Sequence, residues 1–198
     1  MLGSVGSGTS GVGGAVAVDA GRSSVHTGGA VHRESGEGTA TSSGWIVIRS
    51  ANAGTSGTSG MLVFSTGTSS AGNSGGLIIG SGAATGGRGG MVTISAGSGT
   101  SGMGGALTVL SGRSTVNTGG QLSVESGEGT ATSSGEIAVR TANSGAAGVS
   151  GRLVFSSGSA SIGNSGALFL GSGVSTGGRG GMVSISAGSG TSGSGGAL

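Results

Sequence analysis

The chain has 198 residues, 53 of them Gly, with no Pro and no Cys, 2% aromatic and 7% charged residues, and a net charge of +2. The lack of Cys excludes disulfide staples and thiolate metal sites, and the lack of Pro and of a three-residue Gly period excludes a collagen helix. Eight basic residues, all Arg, are nearly balanced by six acids; with so few aromatic side chains this excludes the basic stacking surface of a nucleic-acid binder, and no stretch approaches the roughly 20 apolar residues of a membrane span.

Residues 6–96 recur as residues 97–187, position i matching i+91; 30 of the 91 aligned positions differ and 61 are identical. A third copy opens at 188–198. Each copy divides into shorter units. GSGTSGVGGAVAVDA (6–20) is followed by GRSSVHTGGAVHRES (21–35), GEGTATSSGWIVIRS (36–50), the longer ANAGTSGTSGMLVFST (51–66), GTSSAGNSGGLIIGS (67–81) and GAATGGRGGMVTISA (82–96). The second copy keeps this order, its longer unit at 142–157. Fixed periodicity of this kind is the signature of a stacked repeat array. The expectation is one continuous segment over 1–198, belonging to a longer array.

With the first Gly of each 15-residue unit as position 1, positions 11 and 13 are apolar almost throughout. Val16 and Val18 open the series, followed by Ile46 and Ile48, Leu62 and Phe64, Leu77 and Ile79, and Val92 and Ile94; the second copy runs from Leu107 and Val109 to Val183 and Ile185. Arg33 breaks the row, where the second copy has Val124. Period-2 alternation predicts a short strand closing each unit, with this face inward. Flanking Gly predicts turns of positive φ. Position 4 is Ser or Thr in every 15-residue unit, from Thr9 to Thr191, which stacking would make a hydroxyl ladder. The fold expected is therefore all-β, a parallel β-solenoid of about 15-residue coils within the 91-residue super-repeat.

Stacked coils bring residues 15 apart to neighbouring rungs about 4.8 Å apart. Arg22 then meets Glu37, Glu34 meets Arg49, Arg113 meets Glu128 and Glu125 meets Arg140, four opposite-charge pairs that would hold register. The outward positions carry Trp45, Val47, Met61, Met91, Phe169 and Met182 where a solvated surface needs polar residues. A second apolar stripe predicts burial, either against another part of the same long chain or in a lateral assembly interface with other copies.

The remaining motifs point away from chemistry. GGRGG (86–90, 177–181) lacks both the P-loop lysine and the strand–helix context of a dinucleotide turn. His26 and His32, with Glu34 or Glu37, are candidate metal ligands, but Asn117 and Ser123 replace the two His in the second copy. Asp19 stands alone and no nucleophile elbow is present, so neither a catalytic group nor a cofactor or metal is expected. Thr39/Thr41 and Thr130/Thr132 are the nearest approach to the paired Thr rows of an ice-binding solenoid.

The run GSGTSG-x-GG before an alternating segment, repeated along the whole chain, resembles the Gly/Ser/Thr-rich tandem repeats of large secreted algal and protist proteins. That resemblance implies an extracellular or cell-surface location and transfers no functional residue. The function expected is structural, an extracellular fibre, filament or surface appendage built by stacking and lateral packing. Its partner would be the chain itself, with no nucleic acid and no membrane insertion; Ser and Thr are available for glycans. The alternative is a binding module, an adhesin stalk or an ice- or surface-binding solenoid.

Overall fold

A computed structural model describes residues 5–9 and 11–198. The chain divides into two units, 1–95 and 96–198. The division falls one residue from the boundary between the two sequence copies.

Neither unit contains a helix or a strand among the described residues. The expected parallel β-solenoid is therefore not the fold observed. No side chain is buried: apart from Ser35, Gly38 and Gly129, which are half-covered, every described residue is exposed. The chain exposes 19385 Å² to solvent. A compact protein of 17.8 kDa would expose about 8,000 Å² and its unfolded chain about 26,000 Å². Only about a quarter of the unfolded surface is removed from water, against roughly 70% for a compact domain of this size.

What the sequence builds instead, in most units, is a closed loop followed by an irregular arm. Positions 1–9 of a unit form the loop, with a bend at positions 4–6, as at Ser24–His26 and Thr115–Asn117. The Gly at position 9 donates its N–H to the carbonyl of the Gly at position 1. These bonds run from Gly14 to Gly6, Gly29 to Gly21 and Gly44 to Gly36, and in the second copy from Gly105 to Gly97, Gly120 to Gly112 and Gly135 to Gly127; Gly196 to Gly188 repeats the pattern, all at 2.8–3.1 Å. In the units at 82–96 and 173–187 a side chain closes the base. Ser81 Oγ donates to the Gly90 carbonyl and Ser172 Oγ to that of Gly181, both at 2.8 Å. The two longer units use a turn, Gly57 N–H to Gly54 carbonyl and Gly148 N–H to Gly145 carbonyl.

The role of Gly differs from the one expected. Among the described residues Gly163 alone has positive φ, 101°. The position-9 Gly is instead a matter of space, because it lies against the small residue ending the preceding unit. A Cβ on Gly90 would stand 2.9 Å from Ser81 Cβ, and one on Gly181 would stand 3.2 Å from Ser172 Cβ.

Loop closure also explains why the solenoid does not form. The polar half of each unit folds onto itself, so it does not fold over the apolar arm. The alternation leaves a partial trace: Ile78, Trp45 and Phe169 on the outward row are 90–94% exposed, but Val47 at 69% and Val154 at 61% fall within the 48–71% range of the row expected to face inward. No backbone hydrogen bond joins one arm to another among the described residues.

Candidate functional site

The loop at 36–44 sets two arms side by side at its base. Gly44 N–H bonds the Gly36 carbonyl at 2.9 Å, and a Cβ on Gly44 would lie 3.4 Å from that of Ser35. The arm ending in Arg33, Glu34 and Ser35 thus arrives where the arm Trp45–Arg49 departs. Together they line an open cleft of about 450 Å³, with Trp45 and Ile46 at one end of the second arm and Arg49 at the other. Trp45 is 90% exposed, so its indole is presented to solvent and not packed away.

The ion pairs expected between units do not close. Among the described residues the pair within salt-bridge distance is His32 Nε2 to Glu34 Oε2, at 3.2 Å. None of Arg22–Glu37, Glu34–Arg49, Arg113–Glu128 and Glu125–Arg140 is formed, because consecutive arms do not stack in register. The local alternative is visible in both copies. Positions 12 and 14 share one side of an arm, so Glu34 meets His32, and in the second copy Ser123 Oγ donates to Glu125 Oε1 at 3.0 Å. Arg33 and Arg49, both among the residues lining the cleft, have no acidic side chain within salt-bridge distance among the described residues.

The other candidates come out as follows. His26 and His32 join no cluster of three or more metal-ligating side chains among the described residues. The backbone N–H of His26 is held by Ser23 Oγ at 2.9 Å, a bend-capping role repeated by Asn117 on Ser114. Thr39 and Thr41, like Thr130 and Thr132, lie in bends, where they do not present a flat row. Both GGRGG segments (86–90, 177–181) supply the Gly that closes a loop base. Of the assembly residues, Trp45, Val47, Met61, Met91, Phe169 and Met182 are all exposed. No helix among the described residues is long and apolar enough to cross a membrane.

Two features escaped the sequence reading. Ser at position 3 caps the bend, Gly72 N–H on Ser69 Oγ and Gly178 N–H on Ser175 Oγ at 3.0 Å. The cleft is the other; its sequence signal was the coincidence of two anomalies, Arg33 on the inner row and Trp45 on the outer one, on either side of one loop. No family model, curated protein or solved structure matches the chain.

Proposed function

We propose that the chain is a structural protein that acts by associating with copies of itself, building an extracellular fibre, filament or surface appendage. One observation carries this reading: the large apolar side chains recur in every arm, and all of those described remain exposed. Exposed apolar area well beyond a few hundred Å² is the mark of a surface made to be covered, and copies of this repeat can cover it.

A contact that repeats with the 91-residue period must be present in both copies. Ile78 and Phe169 satisfy this, as do Met91 and Met182. Trp45, Val47 and Met61 stand on the same outward row, but Glu136, Ala138 and Arg152 replace them in the second copy. The repeating contact is therefore assigned to the Ile78/Phe169 and Met91/Met182 positions.

The test is sedimentation velocity and negative-stain electron microscopy of the full chain across a concentration series. Concentration-dependent growth of long, uniform particles is the expected result. A chain that stays monomeric over the whole series, at physiological salt, overturns the proposal.

A further inference from the structure

We propose that the Trp45 cleft is a binding site for an acidic saccharide, a sugar carrying sulfate or carboxylate groups. This goes beyond the assembly reading and does not rest on it. The cleft combines the two elements such a ligand needs. An exposed indole offers a flat apolar face for the C–H side of a sugar ring, and its N–H remains free to bond. Arg33 and Arg49 are also among the residues lining the cleft, and the planar guanidinium fork suits sulfate and carboxylate bidentately. Glu34, on the same wall, is held by His32 at 3.2 Å and leaves the lining with one net positive charge; its second carboxylate oxygen can accept a bond from a sugar hydroxyl.

The same residues explain the two departures from the repeat. Arg33 interrupts an otherwise apolar row and Trp45 is the sole Trp of the chain. In the second copy Val124 and Glu136 stand in their places, and that pair provides neither a stacking face nor the matching charge. The site thus occurs once in the two copies. A single-stranded nucleic acid is the other ring-bearing polyanion, but it needs successive stacking platforms, and this cleft has one.

Because Trp45 is the only Trp, intrinsic fluorescence reads the site directly. The full chain is titrated with a heparin-derived oligosaccharide, a neutral dextran oligomer of equal length and an oligothymidylate. The heparin fragment is expected to shift and quench the emission saturably, with an affinity that falls as salt is raised, while dextran leaves the emission unchanged and the oligonucleotide binds more weakly. Arg33→Val, which installs the residue of the second copy, should weaken heparin binding roughly tenfold, whereas Arg88→Val, on a different unit, should leave it within twofold. Trp45→Glu should abolish binding in isothermal titration calorimetry. Since the second copy carries Val124 and Glu136 in the same frame, neither change asks the loop for anything new. Unchanged emission, equal response to dextran, tighter binding of the oligonucleotide, or equal losses at Arg33 and Arg88 would each overturn the proposal.

Discussion

The position-9 Gly and its neighbour in the same GG pair make opposite demands on a side chain. A Cβ on Gly120 would stand 3.2 Å from Gly112 N, in the loop base that the Gly120 N–H closes at 2.8 Å. A Cβ on Gly119 would meet nothing nearer than 3.6 Å. Gly120→Ala should therefore open the base, and Gly119→Ala should not. A main-chain hydrogen bond contributes about 1 kcal/mol net, so amide exchange at position 120, after correction for the intrinsic rate, should quicken about fivefold. Two-dimensional NMR of both variants checks this, and equal protection in the two would mean that the base is not closed by close packing. The position-3 residue is just as particular. Where it is Ser, as at Ser114, the hydroxyl caps the bend on Asn117 N–H at 2.9 Å; where it is Gly, as at Gly99, the chain returns so tightly that a Cβ would stand 2.7 Å from the Gly102 carbonyl oxygen. Gly99→Ser should accordingly fail to reproduce the Ser114 cap and should weaken the Gly105–Gly97 bond, seen as a steeper temperature coefficient of the Gly105 amide shift. An unshifted coefficient would show that the two loop forms interchange freely.

An arm and a loop obey different rules, and that difference decides how much of the fold was legible. The arms were legible only as an apolar pattern: no strand forms among the described residues, and the inward-row Val16, at 71% exposed, is as open to solvent as the outward Val47, at 69%. The unit boundaries were also legible, because in the 15-residue units the opening Gly and the position-9 Gly fall on the repeat. What the pattern did not contain was the destination of the polar half. GSGTSG is compatible with a coil wall lying over the arm and with a loop closing on itself, since both need only small residues. The second wins locally, as a nine-residue closure costs little loop entropy and Gly14, Gly29 and Gly44 each supply a donor at the right place. The four expected ion pairs fell with the stacking that would have brought them together. The cleft was half legible, as two anomalous residues, but its existence depends on the Gly36–Gly44 closure that sets their arms together. If that closure builds the site, Gly44→Val should lower heparin affinity at least threefold without replacing any lining residue, because Ser35 Cβ lies 3.4 Å from where the new side chain begins. Isothermal titration against the parent chain measures it; unaltered affinity would place the cleft's shape in the arms alone.

At the scale of the whole chain the physical problem is area. With 19385 Å² exposed, the isolated molecule recovers little hydrophobic free energy against a conformational entropy cost of about 1–2 kcal/mol for each ordered residue. Association supplies the missing burial, and the repeat lets one contact recur along the chain, so each added contact raises the effective concentration for the next. The recurring positions should then dominate. Fully burying a Met side chain contributes about 1.5–3 kcal/mol, and each 1.4 kcal/mol is tenfold in an equilibrium constant. Met91→Glu together with Met182→Glu removes such a contact from both copies and sets a charge on each, so the concentration at which assembly begins should rise at least tenfold. Trp45→Glu with Met61→Arg makes the first copy match Glu136 and Arg152 of the second; it removes as much apolar surface but no recurring contact, and should shift the onset less than threefold. Light scattering across a dilution series compares the two double variants with the parent. If the Trp45/Met61 pair raises the onset as much as the Met91/Met182 pair, assembly follows total apolar area and not the period of the repeat. If neither does, the outward row is not where the chains meet. A raised onset for Met91/Met182 alone, with heparin binding intact, assigns assembly to the recurring row and saccharide binding to the cleft on separate arms.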